Sequence, residues 1–301
     1  MLNDAHCHFF STPFFAALGR GLSSADRSST APHEIALARL EWDAPGSADA
    51  LADRWVSELD RAGVSRAALV ASVPGDAASI ITAVRRHPTR FVGFFMVDPT
   101  QPGAAEQAGQ AVADGLRGIC LFPAMHRYPI HDARAKPMFD IAAAHPGAAV
   151  FVHCGVLSVG VRRKLGLSSL FDVRFGNPLD LHATALAYPE VPMIIPHFGA
   201  GLFREALMLA DLCPNVLFDT SSSNSWMRYQ AGGLTLAGVF RQALSVVGPD
   251  RLLFGSDSSF FPRGWVREVY TNQSAALEEI NATEEVRQKV FGGNFERVFP
   301  V

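Results

Sequence analysis

Eight short apolar runs recur along the chain, each followed by a longer stretch with helical spacing. The runs fall at residues 2–9 (LNDAHCHF), 64–71, 91–97 (FVGFFMV), 117–122, 148–153, 192–197, 215–219 and 251–256. Near-continuous apolar runs of this length suit parallel strands covered on both faces. Between them the period shifts to that of a helix. Residues 49–62 place Leu51, Trp55, Leu59 and Ala62 on one face, and Gly63 is a natural stop. Segments 76–87, 102–114, 133–145, 201–212 and 235–247 repeat the pattern, and a C-terminal pair follows at 264–280 and 283–291. Asn177-Pro178 reads as an N-cap with proline at the first helical position. Strand and helix alternate eight times, which predicts an α/β fold, a (β/α)8 TIM barrel in one domain spanning 1–301. An open doubly wound sheet shares the alternation, because closure leaves no mark in a sequence.

Two stretches break the rhythm. Residues 11–48, rich in Ser, Ala, Pro, Gly and Arg, follow the first strand and would lie over the barrel mouth. A connection this long reads as a lid or substrate loop, with a mobile surface loop as the bland alternative. Residues 154–175, after strand five, form a second excursion carrying Arg162, Arg163, Lys164 and Arg174.

Composition narrows the classes. With 49% hydrophobic residues in 301, the chain can bury a large core without staples. A net charge of −3 argues against nucleic acid or an anionic membrane as the main partner. The four cysteines, Cys7, Cys120, Cys154 and Cys213, form no CxxC pair, which fits a reducing compartment. The opening MLNDAHCHFF lacks a basic start and a long apolar run, and no stretch has the ~18 apolar residues of a membrane span. The expectation is a cytoplasmic protein.

The chemistry sits at strand ends. His6 and His8 form an HxH on strand one, where positions i and i+2 face the same side. A chain with ten histidines would show about 0.3 such pairs by chance, so the motif alone is weak. Its neighbours strengthen it. His153 ends strand five, His197 ends strand six, and Asp257 follows strand eight. All five groups therefore fall at C-terminal strand ends, where barrel enzymes keep their active sites. Three imidazoles and a carboxylate suit a borderline divalent ion such as zinc. The bland alternatives are hydrogen-bonded core histidines and, for Asp257, a helix N-cap. Arg127, Arg162 and Trp226, with Asp98 and Asp219, are loop or strand-end candidates for substrate contact. The remaining histidines read as surface groups, His126 being the one able to reach the mouth.

DAHCH, VFVHCG, the H-F-G of IIPHFGAG, FGSDS and the terminal GGNFERVF together resemble the amidohydrolase superfamily, in particular its amidohydrolase-related branch of metal-dependent hydrolases and decarboxylases. The resemblance runs from residue 4 to residue 299. It implies that His6, His8, His153 and Asp257 hold one metal, zinc or alternatively manganese, and that His197 lies by the substrate or the reacting water. It also implies a helix closing the barrel at GGNFERVF, with Asn294 and Arg297 in structural roles. Binuclear relatives bridge two metals through a lysine on strand four. Here strand four is GICLFP, and Lys136, Lys164 and Lys289 lie elsewhere, so a single metal is expected. Cys120 on that strand reads as a small core residue.

Three functions follow for testing. The first is hydrolysis of a lactone, amide or keto acid, with Asp257 as general base and then acid, and His197 steadying the oxyanion. The second is non-oxidative decarboxylation of an aromatic or muconate-like acid on the same groups. The third is a ligand-binding barrel without catalysis. The expected partner is a small molecule, with no nucleic acid and no membrane, and a homodimer is an analogy from the branch. Phe9, Phe10, Phe14, Phe15, Phe122, Trp226, Phe260 and Phe261 hint at a ring or hydrophobic acid, although core packing accounts for most of them equally well.

Overall fold

The computed structural model describes residues 1–22, 30–222 and 224–301. Eight parallel strands lie in sequence order: β1 (Asn3–Phe9), β2 (Arg66–Ala71), β3 (Phe91–Val97), β4 (Gly118–Leu121), β5 (Ala149–Val152), β6 (Met193–Ile195), β7 (Val216–Asp219) and β8 (Leu252–Leu253). The sheet curls into a nearly closed barrel. Its last seam is made by backbone hydrogen bonds from Ala5 N–H to Phe254 O and from His8 N–H to Ser258 O, each 2.7 Å. The eight apolar runs of the sequence are these eight strands, β3 in full and the others trimmed by one to four residues.

The helices, in chain order, are α1 (Thr12–Arg20), α2 (Pro32–Leu40), α3 (Ala48–Ala62), α4 (Ala77–Arg86), α5 (Ala104–Ala113), α6 (Pro123–His126), α7 (Lys136–Ala144), α8 (Gly160–Lys164), α9 (His182–Ala187), α10 (Phe203–Leu212), α11 (Leu236–Val247), α12 (Arg267–Glu279), α13 (Glu284–Gln288) and α14 (Asn294–Val298). Both strand faces are covered, as the unbroken apolar runs require. Ala68, Val70, Phe94, Cys120, Phe151 and Leu217 fill the barrel. Leu69, Phe95, Ile119, Val150 and Phe218 face outward into the helix layer. Cys120 is thus a core residue, as its strand position suggested. The terminal GGNFERVF segment plugs the bottom: Phe295, Val298 and Phe299 join the interior cluster, and Asn294 Nδ2 donates to Pro249 O and Leu252 O.

The 11–48 stretch departs from the loop reading. Its residues 23–29 lie outside the described ones. The rest forms α1 and α2, packed on each other and on α8 through Phe14, Phe15, Leu18, Leu37, Leu40 and Val161. Each buried Phe or Leu of this cluster contributes roughly 1.5–3 kcal/mol. The local signals were present. Ser11 Oγ accepts Phe14 N–H at 3.3 Å with Pro13 next to the cap, and Glu34 Oε2 accepts Ala31 N–H at 3.3 Å just before Pro32. Gly19 lets the two helices touch, since a Cβ there would stand 1.8 Å from Pro32 O. The 154–175 excursion likewise holds α8, whose Val161 anchors it to the same cluster.

Candidate metal centre and active site

A bulge in β1 aims the two histidines. Asp4 pairs with Ala67 but Cys7 pairs with Leu69, so β1 carries one extra residue between them. Ala5 therefore joins the interior cluster while Cys7 and Phe9 point outward. His6 and His8 then face the barrel axis, with the His6 ring 5.2 Å from Phe151. Asp4 braces the bulge. Its Oδ1 accepts His6 N–H at 2.9 Å and Ser256 N–H at 3.0 Å, and its Oδ2 accepts Trp265 Nε1–H at 2.7 Å. Burial raises the pKa of this carboxyl, and the bonds from Ser256, His6 and Trp265 work the other way.

Outer hydrogen bonds fix which nitrogen of each ring faces the pocket. His6 Nδ1–H donates to Asp219 Oδ2 at 2.5 Å, leaving Nε2 toward the axis. His8 Nδ1 lies 2.6 Å from Ser72 Oγ, whose own proton goes to Val70 O at 3.1 Å, so Nδ1 is the donor and Nε2 is again free. The two Nε2 atoms are 3.3 Å apart. Asp257 Oδ1 lies 3.0 Å from His8 Nε2 and 3.8 Å from His6 Nε2. Donor atoms at ~2.1 Å from one cation stand roughly 3.0–3.6 Å apart, close to this spacing. Three lone-pair atoms converging at such distances repel unless a proton or a cation lies between them. The donor set fits a divalent ion, and His6, His8 and Asp257 each offer one ligand atom within 4.8 Å of the others, a grouping that could hold one.

The field at the trio favours positive charge, whether carried by a proton or by a cation. Burial disfavours charge on His6, but Asp219 in contact, with Asp257 and Asp4 beyond, outweighs it and lifts the imidazole to about 9. Burial also opposes charge on Asp257, yet the His8 bond and the His6 charge hold it down to about 2, so it is ionised at neutral pH. Desolvation lowers His8, against the pull of Asp257.

His197 and His153 adjoin the trio. The His197 ring is 5.3 Å from that of His6, and His153 is 5.4 Å from His197. His197 Nδ1 lies 3.3 Å from Ser221 O and 3.0 Å from Ser221 Oγ. A carbonyl only accepts, so Nδ1 carries the proton and Nε2 remains open. His153, read in the sequence as a fourth ligand, stays outside the tight trio. It is buried against Phe122, its Nδ1 has no hydrogen-bond partner, and burial holds its pKa well below the usual value. An unpartnered buried nitrogen beside the trio suits a ligand still to be engaged.

Strain concentrates at the same place. His197, Phe198 and Ala200 have φ of 55°, 52° and 42°, and Asp257 has φ of 57°. Non-glycine residues held left-handed cost of order 1–3 kcal/mol each and cluster at functional sites.

Other expected contacts are placed differently. Asp219, read as a substrate contact, is fully buried on His6 and Ser221 N–H and holds the His6 ring in place instead. Asp98 accepts from Thr100 and Gln101 in its own turn. Arg127 is exposed with φ of 59°, Arg162 Nη2 donates to Ser168 O at 2.6 Å, and Trp226 is buried against Phe203. Among the described residues, no hydrogen bond, ion pair or ring contact joins these three to the trio. Sequence reasoning missed Ser72, Ser221 and Asp4. Asp4, two residues before His6 on an apolar strand, carried a signal: a buried acid there needs donors. Asp219→Asn is expected to weaken metal binding roughly 10–100-fold, measured by competition with a chelator, because a partner of this kind fixes tautomer and basicity.

A family model described as amidohydrolase matches residues 3–301. Protein fluG of Emericella nidulans is 33% identical over 86 residues, which is 29% of this chain; the match spans 10% of that protein's length. Among solved structures, an amidohydrolase from Burkholderia multivorans with bound zinc has a TM-score of 0.65 at 18% identity, covering 100% of this chain and 99% of its own. A probable 2-pyrone-4,6-dicarboxylic acid hydrolase from Acinetobacter baumannii, with citric acid bound, has a TM-score of 0.64 at 14% identity, over 100% and 99%. The D314N mutant of a 5-carboxyvanillate decarboxylase from Novosphingobium aromaticivorans, holding manganese, has a TM-score of 0.62 at 15% identity, over 99% and 96%. At such identities these structures speak for the fold.

Proposed function

This chain belongs to the amidohydrolase family, and from that membership we propose that it is a metal-dependent hydrolase of a small carbonyl substrate, a lactone, amide or keto acid. The supporting observation is the convergence of His6 Nε2, His8 Nε2 and Asp257 Oδ1 within 3.8 Å of one another. These three, with His153 as the fourth donor, would hold one divalent ion. Zinc suits the nitrogen-rich set, and manganese is the alternative. When bound, such an ion lowers the pKa of water towards ~7 and polarises a carbonyl.

The chain's own groups supply the rest. Asp257, ionised at neutral pH, accepts the proton of the attacking water and returns it to the leaving group. His197 Nε2, left unprotonated by the bond from Nδ1 to Ser221, accepts from the attacking water and orients it, and steadies a developing oxyanion only once it has taken up a proton. Asp219 and Ser72 keep the two ligand rings in the tautomers that point Nε2 inward.

A panel of lactones, amides and aromatic acids, followed for proton release and CO2, tests the reaction. Ring opening or amide cleavage with proton release and no gas is expected. Release of CO2 would replace this reading by the decarboxylase one, and no turnover by metal-loaded protein would favour a binding barrel.

A further inference from the structure

At the end of the barrel opposite the metal trio, a cavity of about 310 Å3 opens between the starts of β2, β3 and β4 and the segment that follows α14. Arg66, the first residue of β2, and Arg117, just before β4, both line it. Val84, Phe91, Val92 and Phe299 supply an apolar wall, and no acidic side chain stands among the described residues that line it. The volume lies at the small end of ligand pockets, which span roughly 300–1,000 Å3.

Neither guanidinium is saturated by the fold. Arg66 is only 7% exposed, and its Nη1 donates to Glu296 Oε2 at 2.6 Å and to Phe299 O at 2.8 Å. Its Nε is buried as well, yet no acceptor meets it. Buried N–H groups nearly always have an acceptor, so one in the wall of a cavity calls for an occupant. Arg117 is exposed, and its Nη1 donates to Pro146 O at 2.9 Å. Among the described residues no carboxylate pairs with it. Gly147 gives it room, because a Cβ there would stand 2.6 Å from Arg117 Nη1. Glu296 answers one of the two charges, and the other remains open, so the cavity attracts an anion.

We propose that this cavity is a second binding site, which takes a small carboxylate with a short apolar body between Arg66 and Arg117. A planar carboxylate matches the edge of a guanidinium, and the apolar wall takes the carbon chain behind it. Phosphate offers the charge without the apolar body. The site is separate from the metal centre: it lies at the N-terminal ends of the strands, and the trio lies at the C-terminal ends. It is also tied to the closure of the barrel. Arg66 N–H donates to Asn3 Oδ1 at 3.1 Å, and Asn3 Nδ2 donates to Glu296 Oε1 at 2.8 Å, so β1, β2 and α14 meet on this side chain. An occupant rests on that network, and its binding stabilises the folded chain.

Calorimetric titration of the metal-loaded protein tests it, with butyrate, neutral butyramide and inorganic phosphate as probes at matched ionic strength. Butyrate is expected to bind roughly tenfold more tightly than butyramide, which has the same body without the charge, and more tightly than phosphate. Arg117→Gln should weaken butyrate roughly tenfold. Thr89→Glu should abolish the binding, because it sets a carboxylate in the wall of the cavity. Positions 89 and 117 are both exposed, so both variants should fold, and an unchanged unfolding midpoint without probe checks this. A carboxylate can also meet a metal, so the titration is repeated on His6→Ala, which should keep the Arg117-dependent binding. Equal binding of butyrate and butyramide, or phosphate as tight as butyrate, would overturn the proposal. So would butyrate binding that is lost in His6→Ala and kept in Arg117→Gln.

Discussion

Asp257→Asn is expected to lower kcat roughly 10²–10⁴-fold while the protein stays folded, the range for removing a positioned general base. The substitution isolates charge from shape. Asparagine is isosteric with aspartate and tolerates the left-handed region better than most residues, so φ of 57° adds no new strain. The side chain is also partly exposed, so the amide does not leave an unsatisfied group in the core. What disappears is the negative charge between His6 and His8, and with it a place for a proton. Steady-state kinetics on protein supplied with excess zinc, beside a thermal unfolding curve, check both halves. A kcat within about tenfold of wild type would remove Asp257 from the chemistry.

Gly255→Ala should destabilise the fold by roughly 3 kcal/mol and abolish activity, although residue 255 touches no substrate in this account. A Cβ there would stand 2.6 Å from Asp219 Oδ1, 2.9 Å from the His6 Cβ and 2.9 Å from the Ser221 Cβ. These atoms belong to His6 and to the two residues whose side chains bond its ring, and the Asp219 carboxylate is pinned by His6 and by Ser221 N–H. Relief would have to come from β7 or from the bulge in β1. The effect is read as a lower unfolding midpoint together with loss of bound metal. A variant with wild-type stability and metal content would mean that the packing between β7, β8 and β1 is far looser than described.

Both expectations depend on features of unequal visibility in the sequence. The strands were legible because a barrel strand buries both faces, and runs such as FVGFFMV leave little alternative. Strand ends were legible too, so His6, His8 and Asp257 could be placed on one rim before any coordinates. The 11–48 region does not read as helical. Its average composition is that of a loop, and the few residues that make it helical, Phe14, Phe15, Leu18 and Leu37, gain their value only by packing on Val161 of a distant segment. The bulge in β1 was also hidden. HxH spacing predicts a shared face whether or not the register shifts, but only the shift turns Ala5, His6 and His8 inward together. The strand-end position of Asp219 points to substrate contact. Its burial on His6 could not be read from spacing, because β7 and β1 meet only when β8 and its following loop close the barrel.

One measurement bears most directly on the metal centre: zinc and manganese content of purified protein by mass spectrometry, for wild type and for His6→Ala. Close to one equivalent of divalent metal per chain is expected in wild type after supplementation, and near none in the variant. Wild-type protein that takes up no metal, or a His6→Ala variant that keeps its full equivalent, would contradict it.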